Sequence, residues 1–283
     1  MLPIIKWPGG KRRILQHLRQ HLPLKYGTYH EPMVGGGALF FDLEPERGHI
    51  SDSNNSLINF YKTIADDPEA VIVELQRLKE AYEGSRKKEK FYYQQRNRFN
   101  LLSASNGQLA ALFLFLNRTC FNGLWRENMN GQMNVSFGNY KKPSFPLVAD
   151  IFKASALLRR TIINRSDFAS ILDAAHRGDL VYLDPPYIPH KGNFTTYTAG
   201  GFGLEDHIRL SNVIGNLTDR GVFVILSNSD TLLTREIYNC SPHYSRSWEL
   251  ACVQIMAPRS INRDGEGRKS IKELIITNFN FLK

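Results

Sequence analysis

The chain has 283 residues, of which 42% are hydrophobic and 22% charged, so it can bury a substantial core and is too apolar for disorder. Lys and Arg outnumber Asp and Glu by 36 to 27, a formal charge of +9. That balance suits a polyanionic partner, although a basic soluble enzyme would show the same excess. Cys120, Cys240 and Cys252 have neither metal-type spacing nor the pattern of a disulfide framework, so no bridge and no metal are expected. Residues 2–5 are too short an apolar start for a secretory signal before Lys6, Lys11, Arg12 and Arg13. The longest apolar run, 109–116, falls far below the ~18 residues of a membrane span. A soluble, cytoplasmic protein without a membrane segment is expected.

In chain order, short apolar runs at 29–31, 49–52 and 180–184 end in polar or turn residues, and 222–227 and 274–278 are of the same kind. Each reads as a buried strand of a parallel sheet with chemistry at its carboxyl end. Amphipathic helical stretches at 57–65 and 204–217 lie between them, which predicts a doubly wound α/β domain. Residues 56–145 break the rhythm: helical periodicity dominates, with basic and aromatic residues interleaved. The expected organisation is a catalytic domain in two parts, 1–55 and 146–283, around a helical insertion at 56–145. Within the insertion, Arg86, Lys87, Lys88 and Lys90 surround Glu89, a run explained equally by a solvated helix face and by contact with nucleic acid.

The stretch Glu31-Pro32-Met33-Val34-Gly35-Gly36-Gly37-Ala38 follows the first strand and opens a helix. Its glycines allow positive φ and close approach of a ligand to the backbone. A nicotinamide-dinucleotide fingerprint needs a third Gly or Ala where Phe40 stands, which weakens an oxidoreductase reading. Asp52 closes the second strand, where a carboxylate can accept from ribose hydroxyls; a glycine turn with a capping Asp would look the same. Lys6-Trp7-Pro8-Gly9-Gly10-Lys11 sets an aromatic ring and two cations around a glycine turn. Trp7 alone reads as a core aromatic before it reads as a ligand contact, and Lys11 can pair with a carboxylate.

Asp184-Pro185-Pro186-Tyr187, at the end of an apolar strand, is the most specific local feature. Two prolines fix φ and remove N–H donors, so the carbonyls around them are held as acceptors. An exocyclic amine can donate to Asp184 and to the Pro185 carbonyl, which turns its lone pair toward an electrophilic methyl, and Tyr187 can stack on a base taken out of the helix. No strong base is needed, because positioning supplies most of the rate. A C5-cytosine enzyme would need a Pro-Cys pair, whereas Thr119, Asn239 and Ala251 precede the three cysteines.

Taken together these residues resemble the DNA adenine methylase family, the α-group amino-methyltransferases. The likeness runs through KWPGGK, EPMVGGGALFF, ISDSN, FLNRTCFNGLWREN, YLDPPY, FTTYT, ILSNSD and KELIITN in the family's order. It implies a Rossmann-like class I S-adenosylmethionine-dependent methyltransferase fold with an inserted, mainly helical target-recognition domain. It also implies transfer of a methyl to N6 of adenine in double-stranded DNA at GATC or a related site, by base flipping, leaving S-adenosylhomocysteine, with no metal and a monomeric enzyme. By the same resemblance Trp7, Lys11, Glu31, Gly35, Gly37, Asp52 and Asp184 serve the cofactor, and Asp184, Pro185, Pro186 and Tyr187 serve catalysis. Lys6, Phe121, Asn122, Leu124, Arg126, Ser136, Asn139 and Tyr140 would then meet DNA, with Arg126 suited to the O6 and N7 of a guanine.

The recognition hairpin departs from the family's usual Phe-Asn-Val-Pro-Phe-Gly-Arg-Tyr by carrying Ser136 for Pro and Asn139 for Arg, with Lys141 and Lys142 close behind. Methylation of RNA adenine or of a protein glutamine would share the Pro-Pro-Tyr chemistry but not the DNA-type insertion. A DNA-binding regulator without catalysis would not need Asp184, Lys11 and Asp52.

Overall fold

The computed structural model describes residues 1–101, 106–189, 201–240, 250–257 and 271–279. Its strands are β1 (Tyr29–Glu31), β2 (Gly48–Asp52), β3 (Thr161–Arg165), β4 (Leu180–Leu183), β5 (Phe223–Ser229), β6 (Ala251–Ala257) and β7 (Ile271–Thr277). The helices are α1 (Leu15–Gln20), α2 (Ala38–Leu43), α3 (Asn55–Asp66), α4 (Pro68–Gly84), α5 (Lys88–Leu101), α6 (Asn106–Thr119), α7 (Val148–Arg159), α8 (Ile171–Ala174), α9 (Leu204–Asp219) and α10 (Leu232–Ile237). The chain divides into two units, one of residues 1–10, 35–44 and 52–165 and the other of 11–34, 45–51 and 166–283.

The first unit is mainly helical. Asn54 caps α3 by accepting from the Leu57 N–H at 2.8 Å, and Asp67 caps α4 by accepting from Ala70 at 3.0 Å, with Pro68 in the first turn where a missing N–H costs nothing. The apolar run 109–116 lies inside α6, and from Ala110 to Leu116 it is buried on every side because α3, α4 and α5 all pack against that helix. Phe113 of α6 meets Phe60 at 4.9 Å and Trp125 at 4.1 Å between ring centroids. After α6 the chain turns back as a hairpin with antiparallel bridges Glu127 to Met133 and Cys120 to Phe137.

In the second unit the strands run in the order β2-β1-β4-β5-β7-β6. β2, β1, β4 and β5 are mutually parallel; β7 is antiparallel to both β5 and β6. The expected strands at the first four runs are present with ends shifted by one or two residues. The run at 274–278 is corrected in direction, being part of an antiparallel strand, and β3 and β6 were not anticipated. Apolar side chains of β4 and β5, among them Val181, Leu183, Val224 and Leu226, bury against Leu210, Val213, Ile214 and Leu217 of α9. The α/β class with a helical, hairpin-bearing segment is the observed architecture. A disulfide joins Cys240, after α10, to Cys252 on β6, which corrects the expectation of no bridge; Cys120 is a buried thiol, its pKa pushed up to about 12 by burial. Among the described residues no helix is long and apolar enough to cross a membrane.

Candidate functional site

In the first unit, the glycine turn is built around one residue. Gly35 has φ +46, a Cβ there would lie 2.7 Å from the Trp7 indole, its N–H donates to Asp52 at 3.0 Å, and its carbonyl accepts from the Tyr61 hydroxyl at 2.8 Å. Only glycine meets those demands together, since the left-handed region and the closeness of the ring both exclude a side chain. Gly37, at φ +63, caps α2. Asp52 accepts Gly35 N–H on one oxygen and Asn54 N–H on the other at 2.9 Å. Burial pushes its carboxyl above the ordinary range, against the backbone N–H groups that favour the anion. Trp7 is half-buried and stacks on Phe113 with centroids 6.4 Å apart, so it is both a packed aromatic and the wall of the glycine turn.

The same unit gathers the hairpin residues. Lys6 and Asn117 exchange two bonds, Lys6 N–H to Asn117 Oδ1 at 2.9 Å and Asn117 Nδ2 to Lys6 O at 2.7 Å. The Lys6 ammonium lies 5.0 Å from the Tyr140 ring centroid. Gly123, at φ +63, leaves no room for a Cβ beside the Lys6 chain. Phe121 is 49% exposed, and Asn122 next to it adopts φ +54. Arg126 donates from Nε to Asn134 Oδ1 at 2.7 Å, while Glu127 accepts from the Trp125 indole at 2.8 Å. Ser136 gives its carbonyl to Phe121 N–H at 2.9 Å, a bond that closes the hairpin onto the turn. Leu124 is half-buried, and Asn139 is exposed at φ +49, a conformation Asn tolerates better than Arg.

In the second unit, β4 delivers Asp184 and the two prolines. Lys11, only 8% exposed, pairs with Asp184 Oδ1 at 2.8 Å; Asp184 itself is 19% exposed. The Ser227 hydroxyl also lies 3.0 Å from Asp184 Oδ1 and 2.9 Å from the Tyr182 hydroxyl. Burial raises the Asp184 carboxyl above the usual range, opposed by the Lys11 ammonium and the Ser227 hydroxyl. Lys11 additionally sits 4.3 Å from the centroid of the Tyr187 ring, whose hydroxyl donates to Glu273 at 2.8 Å. Glu273 is 8% exposed, and burial pushes its carboxyl up as well. One cation thus touches both the carboxylate and the aromatic ring of the Asp-Pro-Pro-Tyr corner.

Of the two proline carbonyls expected to stand open, that of Pro186 hydrogen-bonds the His207 ring, whose Nδ1 lies 2.6 Å from the Tyr238 hydroxyl. Glu31 accepts from the Tyr29 hydroxyl at 2.6 Å inside the sheet. Ser227, Glu273, His207 and Asn117 were not singled out from the sequence. Ser227 and Glu273 stand in the ILSNSD and KELIITN runs, but no local pattern says what either touches. Phe194-Thr195-Thr196-Tyr197-Thr198 lies outside the described residues.

The family model described as D12 class N6 adenine-specific DNA methyltransferase matches residues 7–250. The Type II methyltransferase M1.LlaDCHI of Lactococcus lactis subsp. cremoris is 37% identical over 98% of this chain and 95% of its own. The Type II methyltransferase M.MjaIII of Methanocaldococcus jannaschii is 36% identical over 98% and 99%. The DNA adenine methylase of Escherichia coli strain K12 is 34% identical over 96% and 93%. Likeness of this extent, on a sheet whose antiparallel β7 lies between β5 and β6, leaves one conclusion: the chain belongs to the D12 class of N6 adenine-specific DNA methyltransferases, enzymes that use S-adenosylmethionine.

Proposed function

We propose that the enzyme methylates the adenine of GATC or a closely related short site in double-stranded DNA, on a base flipped out of the helix, by direct in-line transfer. The observation that carries the reading is the Lys11, Asp184 and Tyr187 cluster. Asp184 accepts a hydrogen bond from one N–H of the adenine amine, and the Pro185 carbonyl accepts one from the other. Tyr187 stacks on the flipped base, held by Lys11 at its face and by Glu273 at its hydroxyl. Lys11 keeps Asp184 an acceptor by favouring the anion that burial disfavours. The amine needs no prior deprotonation and sheds its proton after transfer.

S-adenosylmethionine supplies the methyl as a sulfonium when bound. The chain's residues fit it: Asp52 offers oxygens already oriented by two backbone N–H groups to ribose hydroxyls, and Gly35 and Gly37 leave the backbone of the turn open. By the family resemblance Trp7, Lys11, Glu31 and Asp184 complete the cofactor set. Residues 56–145 act as the target-recognition domain. Its Phe121, Asn122, Leu124, Arg126, Ser136, Asn139 and Tyr140, with Lys6 from the amino-terminal part, meet DNA, and Phe121, half exposed on its turn, enters the helix at the vacated position. The test is to incubate unmethylated genomic DNA with the enzyme and S-adenosylmethionine and to map modified adenines. N6-methyladenine confined to one short site is expected; modification without a shared sequence, or none in duplex DNA, overturns the assignment.

A further inference from the structure

The run Arg86-Lys87-Lys88-Glu89-Lys90 has no part in either cluster above. A cavity of about 670 Å³ is lined by residues 85–90, at the amino end of α5, together with Phe137 and Asn139 of the hairpin. It holds four cations against the single carboxylate of Glu89. Among the described residues none of the four is in an ion pair. α5 offers them no relief, because the third and fourth neighbours of Lys88 and Lys90 are Phe91, Tyr92, Tyr93 and Gln94. Lys88 packs its ammonium 5.1 Å from the Tyr82 ring centroid, while Arg86, Lys87 and Lys90 are exposed.

Two features separate this patch from an ordinary solvated face. First, α5 is fastened to the hairpin: the Tyr92 hydroxyl and Arg96 Nη1 donate to the Val135 carbonyl at 2.9 and 3.0 Å, and Asn100 bonds both the carbonyl and the N–H of Met133 at 2.9 Å. The two walls are therefore held together before any ligand arrives, which lowers the entropic cost of binding. Second, the hairpin wall is the segment that carries Ser136, Asn139 and Tyr140, so an anion in the cavity lies beside the residues assigned to DNA.

We propose that this basic cavity binds phosphates of the DNA backbone flanking the methylated site, a contact that adds affinity without reading sequence. The proposal rests on the duplex-DNA reading above.

The test compares wild type with Arg86→Gln/Lys87→Gln in the full-length enzyme, on a long duplex and on one ending at the edges of the site. Each lost phosphate contact lowers the log–log salt slope of binding by about 0.9, so the double variant should bind the long duplex about tenfold more weakly near 0.1 M salt with a slope smaller by about one to two. Cognate and singly substituted sites should lose equally, and the edge-trimmed duplex should show no difference between variant and wild type. An unchanged slope on the long duplex overturns the proposal, as does a loss seen only with inorganic phosphate, which would mark a small-anion site. A loss confined to one base pair also overturns it. Wild-type enzyme that binds no duplex DNA would sink the functional reading itself, which sets that failure apart from one of the cavity alone.

Discussion

His207 offers the sharpest quantitative test because its environment leaves one protonation state. The side chain is 1% exposed, and burial lowers its pKa from 6.5 to about 4, partly offset by Asp206 and by the Pro186 carbonyl. The ring nitrogen facing that carbonyl must carry a proton, since a carbonyl only accepts, so the neutral ring links the Pro-Pro corner to Tyr238. Between pH 6.5 and about 4 the unfolded chain binds a proton here that the folded chain refuses. Stability is then full above the unfolded value and falls as pH drops, by about 3 kcal/mol in all and by about 2 kcal/mol between roughly pH 7.5 and 5. Asp52, Asp184 and Glu273, whose carboxyls are raised, act with the opposite sign: they hold protons more tightly when folded, and their contribution is lost as pH rises. They are common to wild type and to His207→Gln, an amide that can still donate and accept but cannot titrate. Urea unfolding of both at the two pH values should therefore show a wild-type loss exceeding that of His207→Gln by about 2 kcal/mol. Ring-proton NMR should find one imidazole, absent in the variant, that titrates below pH 5. Parallel pH dependences, or a His207 signal titrating near its ordinary value, would refute the reasoning.

Asp184→Ala should leave the fold intact and reduce single-turnover methylation by about a hundredfold or more, because no other side chain is assigned to accept from the amine; wild-type turnover in a folded variant refutes the assignment. Gly35→Ala forces a side chain into the left-handed region and against Trp7, and should cost about 1–3 kcal/mol of stability while weakening cofactor binding in calorimetry. Adding Trp7→Leu should recover part of that stability loss, and strict additivity of the two changes would show that the ring is not what excludes the methyl. Arg126→Ala should relax discrimination by about 1–3 kcal/mol at a single base pair. An equal loss on every duplex would assign Arg126 to the backbone.

The features legible in the sequence are those whose chemistry lies within a few neighbouring residues. Asp-Pro-Pro-Tyr declares itself because prolines constrain their own backbone, and the glycine turn because Gly35 and Gly37 are needed for local φ. The buried strands β4 and β5 show as apolar runs. By contrast β3 escaped notice because Ile162 and Ile163 are its only apolar residues, and β6 because Gln254 interrupts its apolar residues, most of which are half-buried or exposed. The direction of β7 was beyond reach, since a strand's side-chain pattern is the same whichever way its neighbour runs.

What the sequence determined by itself was the family's chemistry and the Asp184, Tyr187 and Lys11 side chains that we propose serve it. Tertiary structure alone decided how they are held. The β4 and β5 register sets Leu183 opposite Leu226, so Asp184 falls beside Ser227. The β5 and β7 register sets Ser229 opposite Glu273, the carboxylate that accepts from Tyr187. Those partners lie 43 and 86 residues apart in the chain. Only strand pairing, a sum of many small packing and hydrogen-bond energies spread over the sheet, brings them within reach of one another.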